Sequence, residues 1–361
     1  MDKLPELGKI HPDFFDKHIA PKLGADNRNL TVRPKNGVDF GVIESGDTVT
    51  VLSTDPFYIA KELGIKRAAW FAIHILASDV AVSGIAPNFL SIDLNLPPEM
   101  TEQEFVEMWD VVDSECKKLG IAVATGHTAR YAGCNYPMVG GATMFGIGKK
   151  ERLIKPKAKP GELIVVTKGA AIETTGLMSA YFPRFLDEKY GSGFRKKAQD
   201  VYYQMSCVKD ALIAARVGGV TAMHDATEGG VFGGLYEVAN HSKVGMSINL
   251  KDIIVQDEVK KTCECFGINP YITISEGTLL ATVSRVRAKA VVDELAKEGI
   301  PASIVGEVKE KSFGMHYFEN GQKFNLTHPR VDPFWVKFEE YLGLSKQQES
   351  VATQHLDQPQ C

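Results

Sequence analysis

The residues best suited to chemistry in this sequence are aspartates that lie within or beside apolar segments. Asp79 interrupts an apolar helical stretch, where a buried carboxylate needs a partner. Asp55 follows an alternating apolar run, and Asp39 lies in a Gly-Val-Asp-Phe-Gly segment. If these carboxylates converge, their oxygens suit Mg²⁺, which takes one or two carboxylates together with water and phosphate oxygens. The alternatives are an arginine partner or a loop cap for Asp79 and turn-forming roles for the other two.

The glycine-rich segment HDATEGGVFGGLYEVA, residues 224–239, is the strongest single motif. Asp225 precedes a predicted helix start, and Thr227 and Glu228 lie near the first helical turn. The N–H groups of such a turn favour anions, so Gly229 and Gly230 indicate either a ligand cleft or close packing of the backbone. The spacing fits neither the Walker A motif nor the G-x-G-x-x-G motif, so a nicotinamide cofactor is disfavoured.

A third candidate is the Thr-Gly-His-Thr sequence at 125–128, predicted to be a turn after an apolar strand at 121–125. Gly126 would let a ligand approach the backbone, and His127 could contact a phosphate or accept a proton. A turn histidine bonded only to the backbone is an equally good interpretation. The histidines and cysteines lack the spacing of a zinc site.

Hydrophobic periodicity predicts the elements that position these residues. Strands are predicted at 48–54, 88–97, 138–148, 161–169 and 278–284, and helices at 65–84, 204–217 and 225–240. Thr101 and Glu104 form a capping box ahead of an amphipathic helix that Gly120 ends. A basic, proline-containing stretch at 150–160 marks a domain boundary, and the polar segment 345–360 is expected to be disordered.

Composition narrows the class of protein. The 361 residues carry a net charge of −4, and no long basic block indicates a nucleic-acid surface. The six cysteines match no disulfide or zinc pattern, which favours reduced thiols in a cytoplasmic protein. The N-terminal residues lack the pattern of a signal peptide, and no apolar run is long enough to predict a membrane span.

Several motifs together resemble the superfamily of ATP-using enzymes that includes aminoimidazole-ribonucleotide synthetase, selenophosphate synthetase and the hydrogenase-maturation carbamoyl dehydratase. LASDVAVSGIAP resembles the metal-binding helix of that family, STD at 53–55 its T-T-D strand end, and TGHT its G-[GD]-[HDE]-T turn. The carbamoyl dehydratase branch is matched, in the same order, by TKGAAIETTGL, HDATEGGVFGGLYEVA, SEGTLLATV and IVGEV. The resemblance spans residues 37–310.

The resemblance implies a PurM-like two-domain fold, α/β and then α+β, in which the N-terminal sheet pairs across a homodimer. It divides the chain into an N-terminal extension (1–36), an ATP-binding domain (37–155), a C-terminal domain (156–326) and a C-terminal helix with a flexible tail (327–361). Asp39, Asp55 and Asp79 would hold Mg²⁺ and ATP. The common chemistry is attack by an oxygen or selenium nucleophile on an ATP phosphate.

In the dehydratase branch, a carbamoyl oxygen on a C-terminal cysteine is phosphorylated, and loss of phosphate leaves a thiocyanate. Cys361 is therefore a candidate carrier, with a carbamoyltransferase and metallocentre-assembly proteins as implied partners. The sequence departs from the family in three places. One acidic residue is missing beside Asp39, Glu228 replaces an arginine, and a helix-like stretch and polar tail separate Cys361 from the last domain.

We predict an ATP-dependent enzyme that activates a substrate oxygen by phosphoryl transfer. The predicted catalytic residues are Asp225, His127, Glu228 and, as carrier, Cys361. The predicted nucleotide contacts are Thr54, Asp55, Gly126, Thr128, Thr227, Gly229 and Gly230. The alternatives are a small-molecule kinase or synthetase that resembles thiamine-monophosphate kinase, and a non-catalytic nucleotide-binding scaffold.

Overall fold

The computed structural model describes residues 8–10, 12–329 and 331–356, and from residue 348 onward it describes the backbone alone. It contains a six-stranded and a seven-stranded sheet with helices packed on them, which confirms the predicted fold class. The candidate carrier Cys361 lies outside the described residues. None of the helices in the described ranges combines the length and apolar character needed to cross a bilayer.

The N-terminal domain is built on the six-stranded sheet. Its strands are β1 (Leu30–Val32), β2 (Gly41–Ser45), β3 (Thr48–Tyr58), β4 (Phe89–Leu96), β5 (Ala122–Arg130) and β6 (Met138–Lys149). Its helices are the short α1 (Pro12–Phe14), α2 (Ile65–Ala81) and α3 (Glu102–Leu119). The strand order is β1-β2-β3-β6-β4-β5, so β5 forms one edge and pairs in parallel with β4.

Helix α2 is apolar on most faces because it is packed between α3, strand β3 and the C-terminal domain. Helix α3 begins and ends as predicted. The Thr101 hydroxyl accepts from the Glu104 amide, the Glu104 carboxylate accepts from the Thr101 amide, and Gly120 ends the helix in the left-handed conformation.

The C-terminal domain is built on the seven-stranded sheet, in the order β13-β12-β9-β11-β7-β10-β8. Its strands are β7 (Leu163–Thr167), β8 (Val220–Asp225), β9 (Gly245–Asn249), β10 (Leu279–Val283), β11 (Ala302–Lys309), β12 (Met315–Glu319) and β13 (Gln322–Asn325). Its helices are α4 (Ile172–Tyr181), α5 (Pro183–Tyr190), α6 (Ser192–Asp200), α7 (Val208–Val217), α8 (Gly230–Ser242), α9 (Asp257–Phe266), α10 (Arg285–Lys297) and α11 (Pro333–Leu356).

Two apolar cores lie on opposite faces of this second sheet. Along β7, Val165 enters one core while Ile164 and Val166 enter the other, as the two-residue period of a strand requires. The first core continues into the N-terminal domain through α2 and α7. The two domains therefore share one apolar core, and the shared core fixes the position of the domains on either side of the cleft.

Four local predictions are wrong. Residues 125–128 lie inside β5 rather than in a turn, because the ladder with β4 continues to Arg130. Asp55 is not at a strand end, since β3 runs on to Tyr58. Helix α8 begins at Gly230 rather than beside Asp225. The polar segment expected to be disordered from 345 is helical as far as Leu356.

Candidate active site

An acidic cluster gathers at the contact between the two domains. Asp79, on α2, accepts a hydrogen bond from the hydroxyl of Ser53 on β3 at 2.6 Å. Burial, followed by the charges of Asp225, Asp55 and Asp39, raises the pKa of Asp79 well above its usual value. The three predicted metal ligands and Asp225 therefore lie close enough to affect one another, although they come from distant parts of the chain.

Asp39 is paired with a buried histidine. His224 Nδ1 lies 2.7 Å from Asp39 Oδ1, and His224 Nε2 lies 2.8 Å from Glu237 Oε2. Burial opposes a charge on this imidazole, but the two carboxylates outweigh it and raise the pKa of His224. The ring is therefore an imidazolium held at both nitrogens, and it fixes Asp39 at the edge of the cluster.

Mutual repulsion is strong between the carboxylates of Asp225 and Glu276. Each is fully buried, and among the described residues none is a hydrogen-bond partner of their four carboxylate oxygens. One ligand atom from each of Asp225, Glu276 and Cys207 lies within 4.8 Å of the others. Burial, together with Asp39 for Asp225 and with Asp225 for Glu276, raises the pKa of both carboxyl groups.

These unpartnered oxygens fit a hard divalent cation. Buried carboxylates without hydrogen bonds are strongly disfavoured unless a cation or a proton neutralises them. Oxygen atoms from Asp55, Asp79, Asp225 and Glu276 match the ligand preference of Mg²⁺. A bound Mg²⁺ would lower the pKa of every carboxyl group it touches.

A further glutamate, Glu173, contacts the main chain of Glu276. Glu173, on α4, accepts a hydrogen bond from the Glu276 amide at 3.0 Å. Burial raises the pKa of Glu173 to about 8, and the charges of Asp332 and Glu228 act in the same direction, whereas the Glu276 amide opposes the shift. This carboxyl group is protonated over much of the neutral range.

The glycine-rich loop owes its composition largely to packing. Gly230 has a φ of +59°, and a Cβ there would lie 2.3 Å from the Thr273 carbonyl oxygen. A Cβ on Gly234 would lie 3.1 Å from the ring of His224. The Gly229 amide, expected to be free for an anion, instead donates to Asp332 Oδ2 at 2.7 Å. Close packing of the backbone is therefore the observed reason for Gly230 and Gly234.

Two residues that are distant in sequence, Lys9 of the N-terminal extension and Trp335 of α11, reach this loop. The amide of Lys9 donates to both carboxylate oxygens of Glu228 at 3.0 Å, and Lys9 Nζ donates to Thr227 Oγ1 at 2.9 Å. Trp335 Nε1 also donates to Glu228 Oε1, at 3.3 Å. Glu228 thus links the N-terminal segment and α11 to the glycine-rich loop.

The remaining predicted residues lie away from the cluster. Thr54 faces the opposite side of β3 from Asp55, where its hydroxyl bonds Thr143 at 2.9 Å. Gly126, His127 and Thr128 are exposed on the edge strand β5. The register Asp55–Ala142–Ile92–Gly126 places them three strands from Asp55, roughly 14 Å at the usual strand spacing. The roles predicted for Thr54, Gly126 and Thr128 as nucleotide contacts and for His127 as a catalytic residue remain predictions.

Sequence reasoning missed His224, Glu237, Glu276, Lys9 and Asp332. Only His224 had a local signal, because it stands beside Asp225 at the end of an apolar strand. Glu276 lies in SEGTLLATV, which resembles a family strand, but nothing in the sequence marks its carboxylate as buried. Lys9 lies in the predicted N-terminal extension, and Asp332 lies in the predicted C-terminal helix and tail.

Two family models match the chain along most of its length. The N-terminal domain model of AIR synthase related proteins matches residues 37–148, and the C-terminal domain model matches residues 159–317. The chain belongs to the AIR synthase related family. This confirms the resemblance drawn from the motifs.

Curated relatives are similar over large parts of their length. A Methanocaldococcus jannaschii protein provisionally assigned to hydrogenase expression and formation is 23% identical over 316 residues, 85% of this chain and 90% of that protein. Carbamoyl dehydratase HypE of Rhizobium leguminosarum is 24% identical over 251 residues, 66% of this chain and 67% of the relative. A selenide, water dikinase of M. jannaschii is 26% identical over 321 residues, 84% of this chain and 85% of the relative.

Solved structures share the PurM-like fold. Escherichia coli HypE, a hydrogenase maturation protein, has a TM-score of 0.67 at 23% identity, and the match covers 79% of this chain and 87% of the HypE chain. HypE in complex with ATP has a TM-score of 0.63 at 21% identity, with coverage of 88% and 93%. A HypE–HypF complex has a TM-score of 0.64 at 19% identity, with coverage of 88% and 98%.

Proposed function

We propose that this protein is a Mg·ATP-dependent enzyme that transfers the terminal phosphoryl group to an oxygen of its substrate. The observation that carries the proposal is the acidic cluster between the domains, where Asp79, Asp225 and Glu276 are buried together. Membership of the AIR synthase related family and the ATP complex of a HypE with the same fold support the choice of nucleotide.

Each group in the cluster has a defined task in this proposal. Asp55, Asp79 and Asp225 hold the metal, which when bound shields the phosphate charge. Glu276, buried within 4.8 Å of Asp225, would share the metal with these carboxylates. His224 keeps Asp39 oriented. Positioning and electrostatics supply most of the rate enhancement in such transfers.

The first test is nucleotide binding by a metal-ligand variant. Asp79→Asn should weaken Mg·ATP binding by about tenfold or more, because a charge-assisted ligand is lost. Its nucleotide-free thermal stability should not fall, since the amide replaces a carboxyl group that burial already keeps protonated. Titration calorimetry measures the first quantity and a melting curve the second. Asp47→Asn, in the exposed β2–β3 hairpin, is the matched control.

Unchanged affinity in Asp79→Asn would remove the metal assignment. Wild-type protein that binds no Mg·ATP would remove the proposed function altogether.

Within this class, we propose a carbamoyl dehydratase-like reaction on a protein-bound thiol as the first candidate. The HypE relatives support it, and the HypE–HypF complex supports a partner protein, here a carbamoyltransferase, that delivers the carbamoyl group. Phosphorylation of the carbamoyl oxygen followed by loss of phosphate would leave a thiocyanate. Intact-mass analysis after incubation with carbamoyl phosphate, a carbamoyltransferase and ATP should reveal a carbamoyl adduct that becomes a lighter cyano adduct.

A small-molecule acceptor is the second candidate, and the similarity to a selenide, water dikinase over 84% of this chain favours it. Deletion of 345–361 should abolish thiol-dependent chemistry and leave the turnover of a small-molecule kinase intact.

A further inference from the structure

The N-terminal segment Gly8–Ile10 enters the cleft and is anchored there. Both oxygens of the Glu228 carboxylate accept the Lys9 amide at 3.0 Å, and Trp335 Nε1 holds the same carboxylate from α11. Gly8 has a φ of +86° and packs against Glu228 and Trp335, where a side chain would crowd both. The anchor therefore uses main-chain atoms of the segment and leaves the Lys9 side chain free to point elsewhere.

That side chain carries a positive charge into the acidic cluster. Lys9 Nζ donates to Thr227 Oγ1, two residues beyond Asp225. Removal from bulk water disfavours the ammonium, but Glu237, Asp79, Asp225 and Asp39 together outweigh that effect and raise the pKa of Lys9. The ammonium lies within range of four carboxylates that come from both domains.

The ammonium has unused binding capacity. A lysine offers three donors, and among the described residues Thr227 is its one hydrogen-bond acceptor. The residue as a whole keeps an exposed surface while its ammonium lies among buried carboxylates, so an incoming ligand can reach it from the solvent side. A purely structural lysine would use its donors on fixed acceptors, as Lys168 does with Asp210 and the Ser206 carbonyl.

We propose that Lys9 is a substrate-contacting residue that binds the terminal phosphate of Mg·ATP, carried to the site by the N-terminal segment. This inference rests on the proposed function. Two of the carboxylates around Lys9, those of Asp79 and Asp225, are assigned to the metal, so its ammonium lies at the phosphate end of the nucleotide rather than at the base. Glu228, which stands where the related motif has an arginine, provides the anchor, and Lys9 restores a positive charge beside the glycines.

Calorimetry with two nucleotides tests this assignment. Lys9→Met keeps the aliphatic stem and removes the charge, and it should weaken Mg·ATP binding by about tenfold or more. Mg·ADP lacks the terminal phosphate, so its affinity should change by less than about twofold. Lys9→Arg should retain most of the affinity for Mg·ATP. Lys17→Met, an exposed lysine of the same N-terminal region, is the matched control and should alter neither.

Three results would overturn the proposal: unchanged Mg·ATP affinity in Lys9→Met, equal losses for both nucleotides, or tighter Mg·ATP binding. The last would identify Lys9 as a competitor of the metal. Failure of the proposed function is a different result, since wild-type protein would then bind neither nucleotide.

Discussion

At the scale of single residues, the main feature of the cleft is a group of carboxyl groups that are buried away from solvent. Burial is the largest contribution to the raised pKa of Asp79, Asp225, Glu276 and Glu173, and neighbouring negative charges add to it. Such groups hold protons until a cation replaces them, so cation binding and proton release are linked. The affinity for Mg²⁺ should consequently rise with pH across the neutral range.

Glu173 makes this linkage measurable through stability. The unfolded chain releases its proton near pH 4.5, whereas the folded protein holds it until about pH 8. Stability of the nucleotide-free protein should therefore fall as the pH rises from 4.5 to 8. Glu173→Gln keeps the acceptor for the Glu276 amide and removes this titration. We expect it to be more stable than wild type at pH 8, by roughly one to a few kcal/mol because the group is partly buried, and equally stable near pH 4.5.

Denaturant unfolding of both proteins at several pH values measures the difference. Glu188→Gln, exposed on α5, is the matched control and should follow the wild-type profile. A variant profile parallel to wild type would contradict the role assigned to Glu173.

At the scale of elements, the boundaries that depend on neighbouring residues could be predicted and those that depend on distant partners could not. The capping box of α3 joins residues three apart, so its sequence pattern is complete in itself. Residues 125–128 have turn-like composition, yet pairing with β4 makes them a strand. A Cβ on Gly126 would lie 2.6 Å from the Ile92 carbonyl oxygen, so this glycine serves the ladder.

The candidate site divides in the same way. Aspartates inside apolar segments stood out because a buried charge contradicts its surroundings, and the structure brings Asp39, Asp55, Asp79 and Asp225 together. Their partners had no such signal. His224 and Asp39 are 185 positions apart, and Lys9 and Glu228 are 219 positions apart, so only the folded chain joins them.

The cap of α3 should contribute to stability without touching the site. Thr101→Ala removes the hydroxyl that accepts the Glu104 amide, and it should lower the free energy of unfolding by about 1 kcal/mol. Denaturant unfolding checks this, and Mg·ATP affinity should stay the same. Thr101→Ser retains the hydroxyl that accepts the Glu104 amide and should cost less. A loss in Thr101→Ser as large as in Thr101→Ala would argue against the capping box as the cause.

At the scale of the whole molecule, the outer face of the N-terminal sheet presents two apolar rows. Leu52, Phe145 and Phe89 lie side by side on β3, β6 and β4, and Ile43 and Ile147 flank Thr50 in the neighbouring row. Phe89 is 38% exposed, Ile43 42% and Ile147 45%. An apolar sheet face of this kind favours the predicted pairing with a second copy of the chain.

Phe89→Glu should therefore convert a dimer into a monomer, because it places a charge on that apolar face. Sedimentation equilibrium measures the mass directly. Val286→Glu, on α10 and 88% exposed, introduces the same charge on another surface and should leave the mass unchanged. A monomeric wild-type protein would contradict the proposed pairing.

The carboxylate of Asp332 accepts two main-chain hydrogen bonds, and together they link α11 to the loop beside Asp225. Asp332 Oδ1 accepts the Phe334 amide in the first turn of α11, while Oδ2 accepts the Gly229 amide. Pulling on α11 would withdraw that carboxylate and expose a main-chain donor that a phosphate oxygen could use. A protein that binds α11 would therefore change the hydrogen bonding of the Gly229 loop beside Asp225.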